Sequence, residues 1–385
     1  MAVATGRTVK SVQSAIDSIA SPWGRERAER QQRRELRPAE FADLAETGFL
    51  SLVVPTEHGG LWAGEAVSTR PVCEALRRLA RADSSVALVS SMHPTVIYLS
   101  FLAPQAAPPG TEQGWEAQRR EAFTSALAGA WWGTIASEPG SGGDVAKTKA
   151  VARPGPDGRH RVSGMKHFGS GWGITSFMIT TALPAGASSP EIFYVDVRGA
   201  LRDGSAGITL VAPWDGHGMI ATQSHAIRFD EYPATLVGWP GYLEQRLKQA
   251  GPFLSTAFSA VIVGVVDAAM EAARASLGPK SAGLRAFEQV EWSQANVEAW
   301  LIQQAYEGML RAMESGGGRG TLEGKTAIAS LAESLTGRLC RVVGGATFGR
   351  GSPFGHWAED VRALGFLRPP WGLAYDRLFE QSWNS

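Results

Sequence analysis

The spacing of apolar residues changes twice along this chain, and this change constrains the fold more than any other feature. From residue 39 to residue 102 apolar side chains recur at helical spacing, as at Val72 and Leu76. After Ala130 the apolar runs shorten to about five residues and are separated by Gly, Pro and Asp, which is typical of strands. Helical spacing returns over 253–343. The pattern predicts an α+β chain with a barrel-like β-region between two helical regions.

The length and charge of the chain restrict its organisation and its partners. Because 385 residues exceed what one hydrophobic core usually serves, we predict an N-terminal helical domain over 1–125, a middle β-domain over 126–245 and a C-terminal four-helix bundle over 246–385. The 37 basic and 37 acidic residues balance, so no net positive charge favours a nucleic acid. No apolar run reaches the ~18 residues of a membrane span, and residues 1–10 lack a signal-peptide core. We therefore expect a cytoplasmic protein without a membrane partner.

Charged and sulfur-containing residues outside the glycine-rich segments have simple interpretations. The basic run Arg25–Arg34 has Glu29 four residues from both Arg25 and Arg33, which is typical of a solvated helix. Cys73 and Cys340 lie far apart and outside any Cys/His cluster, so we expect neither a disulfide nor a metal site.

Two segments of the middle region carry motifs. Residues 136–144, Ala-Ser-Glu-Pro-Gly-Ser-Gly-Gly-Asp, combine a hydroxyl with amides in a Gly/Pro turn, a donor nest suited to an anionic edge. This segment resembles the T-E-P-x-A-G-S-D loop of the acyl-CoA dehydrogenase superfamily. Residues 162–171, Val-Ser-Gly-Met-Lys-His-Phe-Gly-Ser-Gly, resemble the L-x-G-x-K-x-W-I-T-N-G segment of that superfamily. Segments at 44–60, 76–86 and 214–229 are also similar to family segments, in the same order.

The resemblance implies an acyl-CoA dehydrogenase-like fold and a flavin cofactor, either FAD or reduced FMN or FAD supplied by a separate flavin reductase. By the resemblance, the Ala136 amide and Ser137 contact the pyrimidine edge of the flavin, Phe168 covers one face of its ring, and Ser170 hydrogen-bonds its N5/O4 edge. Lys166, with His167, is interpreted as part of a solvent-facing strand edge.

The glycine pair at the end of the chain's helical pattern bears on assembly. Residues 343–354 resemble the family segment in which Gly344 and Gly345 let backbone amides approach the FAD pyrophosphate of a neighbouring subunit. The resemblance therefore implies a homo-oligomer, either a dimer or a tetramer.

The chain departs from the dehydrogenases at the residues that act on the substrate. Gly143 stands where the family has a Ser that contacts the acyl-thioester. The two family positions of the catalytic Glu correspond to Arg368, eight residues after Asp360, and to Leu254. A guanidinium stays protonated and cannot act as a base, so desaturation by the standard mechanism is disfavoured. Arg368 either caps a helix before Pro369 or binds an anionic group of the substrate.

The Ser170-Gly171 ending resembles the two-component monooxygenase branch, whose chemistry needs a dry pocket and a proton donor rather than a carboxylate base. His93 lies where that branch often carries a His, and a buried core histidine is the equal alternative. We predict a flavin-dependent oxidoreductase, a monooxygenase or hydroxylase acting on a small-molecule substrate. The alternatives are a dehydrogenase of acyl-CoA or acyl-carrier-protein thioesters, with its base relocated to Glu244, Glu288 or Glu291, and a non-catalytic family subunit.

Overall fold

Helices, strands and helices follow one another along the chain, as the apolar spacing predicts. A computed structural model of the protein describes residues 6–103 and 106–383, so part of the N-terminal segment 1–10 lies outside it. The helices before the first strand are α1 Val9–Arg25, α2 Arg27–Arg30, α3 Pro38–Glu46, α4 Glu65–Ala82, α5 Ser84–Ile97 and α6 Glu112–Leu127.

The middle region forms a closed sheet. Its strands are β1 Trp132–Thr134, β2 Val151–Pro154, β3 His160–Gly169, β4 Phe177–Pro184, β5 Glu191–Asp196, β6 Ile208–Ala212 and β7 His225–Leu236. Strands β4, β2, β3, β7 and β5 pair in that order, and β5 pairs back to β4, so these five strands close a ring. Strand β1 joins the ring at β4 and β6 joins it at β7. The ring confirms the predicted barrel-like region.

The C-terminal region is helical again. Its helices are α7 Leu243–Leu277, α8 Ala286–Glu314, α9 Thr321–Val343, α10 Pro353–Gly365 and α11 Trp371–Trp383. Helices α7, α8, α9 and α10 pack together, and α7 also packs against α4 and α5. The N-terminal and C-terminal helices therefore share one hydrophobic core, and the predicted domain limits near 125 and 245 stay a prediction.

The segments Ser84–Leu102 and Leu243–Gly283 are apolar and long enough to cross a membrane, but each is 94% buried inside the protein over its most apolar stretch, as core helices are.

The basic run is only partly the solvated helix that the sequence suggested: Arg25, Glu29 and Arg34 are exposed, but Arg30 is buried. Helix α1 ends at Arg25, and the buried Arg30 donates to Glu40 at 2.7 Å and to Asp83 at 2.8 Å. Arg33 pairs with the same two carboxylates. Asp83 also caps α5 by accepting from the Val86 N–H. The cluster is buried because basic and acidic side chains from three separate segments pair with one another. No pattern within the basic run itself indicates that Glu40 and Asp83 lie next to it.

Candidate active site

A cavity lies where α5, α7 and strands β1, β4 and β5 meet. A π-helical turn, Tyr98–Leu102, extends α5, and Leu99 of this turn lines the cavity; π-turns are frequent at functional sites. Most lining side chains are apolar, and Arg368 is the one charged residue among the described lining residues. The lining residues are Thr95, Val96, Leu99, Thr134, Ala136, Val145, Ile179, Thr180, Thr181, Ile192, Leu243, Leu247, Leu254, Phe258 and Arg368.

The fold brings the two motif segments into contact beside this cavity. The His167 backbone N–H donates to the Ser137 carbonyl oxygen at 2.8 Å, and a Cβ on Gly169 would lie 2.6 Å from the Ile135 side chain. Ala136 lines the cavity. The half-buried Ser137 hydroxyl makes no hydrogen bond to the part of the chain that the structure describes. It is therefore free to bind a ligand.

Phe168 is held in a strained conformation at this contact. Its φ is +59°, which is rare for a bulky residue, and it lies within an irregular register of β3 and β7 between Lys166 and Gly169. The ring is 59% exposed and packs edge-on to Trp214 at 6.0 Å. Bulges and positive φ values concentrate at functional sites. The bulge thus directs an aromatic ring outward next to Ser137 and Ser170.

Ser170 begins a chain of buried hydroxyls whose direction is determined by its far end. The Thr222 hydroxyl donates to the Met219 carbonyl oxygen at 2.8 Å, so its single proton is committed. Ser224 must therefore donate to Thr222 at 2.7 Å, and Ser170 must donate to Ser224 at 2.8 Å. A hydroxyl has one proton and two lone pairs. The Ser170 oxygen is consequently left as an acceptor toward any ligand.

Arg368 joins the C-terminal region to the first motif loop. Its Nη1 donates to the Gly143 carbonyl oxygen at 3.2 Å, rather than to a helix end. Burial lowers the pKa of Arg368 to about 10, and Asp144 opposes that shift, so the guanidinium is charged at neutral pH. Gly143 has φ +81°, and a Cβ there would lie 2.9 Å from the Pro370 ring. This close approach explains why the usual Ser is absent.

Lys325 holds the segment that carries Arg368, although no sequence motif includes it. Its buried ammonium donates to the carbonyl oxygens of Gly365 at 2.9 Å and Pro369 at 2.8 Å, and lies over the Trp371 ring. Burial lowers the pKa of Lys325 to about 8. The one available signal was a Lys at a buried position of α9, between Thr321 and the core residue Ile328.

His93 is a core histidine in this structure and does not line the cavity. Its side chain is fully buried, its Nδ1 accepts from the Trp132 backbone N–H at 3.2 Å, and its ring packs edge-on against Trp131. Burial lowers the pKa of His93 to about 3. The imidazole is therefore neutral at physiological pH.

Lys166 is buried, which corrects its interpretation as part of a solvent-facing edge. Its Nζ lies 2.6 Å from the Glu138 carboxylate and 2.6 Å from the Thr181 carbonyl oxygen. Glu138 also accepts from the backbone N–H groups of Lys149 and Ala150. Burial lowers the pKa of Lys166, and Glu138 opposes that shift. The ion pair ties the first motif loop to β3 and β4 beneath the cavity.

The remaining predicted residues lie elsewhere. Gly344 and Gly345 follow the C-terminal end of α9 and do not line the cavity. The three candidate relocated bases are also outside the cavity lining: Glu291 pairs with Arg338 and Arg341, Glu288 accepts from the Arg285 N–H, and Glu244 is exposed in the first turn of α7.

Comparison with known proteins agrees with this architecture. Residues 8–126 match the family model of the acyl-CoA dehydrogenase N-terminal domain. A nitrososynthase from Micromonospora carbonacea var. africana superposes with a TM-score of 0.79 at 20% identity, covering 97% of this chain and 96% of that one. The FMN-bound TdsC of Paenibacillus sp. A11-2 superposes with a TM-score of 0.75 at 19% identity, covering 95% of each chain. The protein thus has the acyl-CoA dehydrogenase fold.

One curated relative is named as a monooxygenase. A dibenzothiophene monooxygenase from Rhodococcus qingshengii is 27% identical over 266 residues, which are 66% of this chain and 60% of the length of that relative. Residues 8–126 thus match the acyl-CoA dehydrogenase N-terminal domain, and the chain is similar to relatives named as monooxygenases.

Proposed function

We propose that the chain is a monooxygenase that uses reduced flavin, supplied by a separate reductase, to oxygenate a small molecule held in the cavity. The observation that carries this proposal is the cavity itself. Leu254 and Arg368, which occupy both positions of the dehydrogenase base, line it, and no carboxylate is among the described lining residues. A dehydrogenase needs a base there, whereas a dry, apolar pocket suits oxygenation. The relatives named as monooxygenases support the same reading.

The motif residues fit a flavin. Ser137 offers a free hydroxyl, Phe168 an exposed ring, and Ser170 an oxygen that only accepts. Reduced flavin carries a hydrogen on N5, whereas oxidised flavin has a bare acceptor there, so Ser170 suits the reduced form. When bound, reduced flavin supplies the electrons that activate dioxygen. The apolar walls of the cavity exclude water from that reaction, and the Glu138–Lys166 ion pair holds the loop that carries Ser137.

Assembly into a homo-oligomer in the cytoplasm is part of the proposal. Five apolar side chains on α8 are 40–61% exposed at helical spacing, a stripe that a second copy would bury. They are Phe287, Val290, Val297, Trp300 and Leu301. Gly344 and Gly345, outside the cavity of their own chain, are available to a flavin bound by a neighbouring copy.

The test is anaerobic titration of the purified chain with reduced and oxidised FMN and FAD, followed by oxygen uptake with a flavin reductase and NADH. We expect tighter binding of reduced flavin, and oxygenated product only when the reductase is present. Bleaching of bound FAD by an acyl-CoA under anaerobic conditions would instead support the dehydrogenase, and no binding of any flavin would support the non-catalytic subunit.

A further inference from the structure

We propose that Arg368 binds a carboxylate of the substrate, so that the substrate class is a small, largely apolar carboxylic acid. This inference rests on the proposed function, because it takes the same cavity as the substrate site. It adds the chemical class that the cavity selects.

The first step is the charge of the cavity. Arg368 is the one charged group among the described lining residues, and it makes no ion pair with any carboxylate in the described part of the chain. Asp144 is the one carboxylate whose charge opposes the lowered pKa of Arg368, but it forms no ion pair with Arg368: it accepts from the Ala146 N–H and lies 3.8 Å from Lys147. A partly buried cation without a directly paired counter-charge is costly. An anionic ligand would remove that cost.

The second step is the supply of hydrogen-bond donors. A guanidinium has five N–H donors, and the single hydrogen bond of Arg368 goes to Gly143. The hydroxyls of Thr95 and Thr180, in contrast, donate to backbone carbonyl oxygens. Arg368 therefore supplies most of the free donors of the cavity, to which the Thr134 hydroxyl adds one. The planar fork of Arg368 matches a carboxylate.

The third step is rigidity. Lys325 holds the carbonyl oxygens of Gly365 and Pro369, and Pro370 packs against Gly143. The segment that carries Arg368 is thus fixed at both ends, so little conformational entropy is lost when a carboxylate binds. The walls of the cavity are mostly apolar, so they suit the apolar body of such an acid.

The experiment compares matched carboxylate and amide probes. Three pairs of probes are titrated calorimetrically into the whole chain of 385 residues, with and without reduced FMN: benzoate against benzamide, 2-naphthoate against 2-naphthamide, and octanoate against octanamide. We expect at least one carboxylate to bind about tenfold or more tightly than its amide. Arg368→Gln should abolish that preference, and Arg368→Lys should retain part of it because the charge remains. If each amide binds the wild-type protein as well as its carboxylate, or if no carboxylate binds, the inference is wrong.

A matched control removes a nearby charge without touching the cavity. The exposed Arg377 repels Arg368, so Arg377→Gln should keep the carboxylate preference. Reduced FMN should bind Arg368→Gln as it binds the wild type; selective loss of FMN binding in that variant, with the carboxylate preference intact, would assign Arg368 to the flavin and overturn the inference. Carboxylate preference in a protein that binds no flavin would uphold the inference and overturn the proposed function. Flavin binding without carboxylate preference would uphold the proposed function and overturn the inference.

Discussion

The carbonyl oxygen of Gly143 accepts a hydrogen bond from the guanidinium of Arg368 across 3.2 Å, although the two residues are 225 positions apart. Both are positions at which the chain departs from the dehydrogenase motifs. Their contact shows that the departures belong together: the Gly at 143 admits Pro370 to within reach of the loop, and the same segment supplies Arg368 to the cavity.

We predict that Gly143→Ala destabilises the protein by about 1–3 kcal/mol, because it adds a Cβ at φ +81° that would meet the Pro370 ring at 2.9 Å. Gly142→Ala is the matched control, since Gly142 also has positive φ but has open space around it. Urea unfolding measures both. A cost for Gly142→Ala as large as that for Gly143→Ala would show that backbone strain alone, and not the contact with Pro370, requires glycine.

The hydroxyl chain predicts a redox preference for flavin. Ser224→Ala removes the acceptor of the Ser170 proton, so Ser170 becomes free to donate to oxidised N5. The ratio of the Kd for oxidised FMN to the Kd for reduced FMN should fall by about 3–10-fold, measured by anaerobic fluorescence titration. Ser163→Ala is the control, because that hydroxyl bonds to Glu231 instead. An unchanged ratio of the two Kd values in Ser224→Ala would contradict the direction assigned to the hydrogen bonds between these hydroxyls.

The burial of His93 predicts that the protein is sensitive to acid. The unfolded imidazole protonates below pH 6.5, whereas the folded one stays neutral until about pH 3, so the wild type should lose stability as pH falls through this window. His93→Gln should remove that dependence at a cost of about 1–3 kcal/mol at pH 7. Chemical denaturation at pH 5 and pH 7 measures both effects. A pH–activity profile that changes shape between pH 6 and 8 in this variant would restore His93 as a proton donor.

The pH dependence of stability that Asp360 contributes should be opposite to that of His93. Burial raises the pKa of Asp360 to about 6, while the Met219 N–H and the Ser84 hydroxyl oppose that shift. A raised acid contributes stability that is fully present below the unfolded value of 3.8 and is lost as pH rises through 6. Relative to Asp360→Asn, the wild type should therefore be about 1–3 kcal/mol more stable at pH 4 than at pH 7.5. A constant difference across that range would show that the carboxyl titrates normally.

Part of this site was predictable from the sequence, because some of its determinants are local. A motif such as 136–144 or 162–171 carries its hydroxyls and its turn glycines in one continuous segment. The absence of a base at Leu254 and Arg368 was also visible by position, and both residues line the cavity of the candidate active site.

Apolar spacing determined the order of helices and strands, since periodicity is a property of neighbouring residues. Tertiary structure alone decided which charges are buried. Lys166 meets Glu138, Arg30 meets Asp83 and Lys325 meets Pro369 across 28, 53 and 44 positions. The direction of the Ser170 hydroxyl chain and the burial of His93 depend equally on distant partners. Residues that only packing brings together produce no periodic pattern in the sequence. The sequence therefore indicated the scaffold, whereas the tertiary structure determined the chemistry of its cavity.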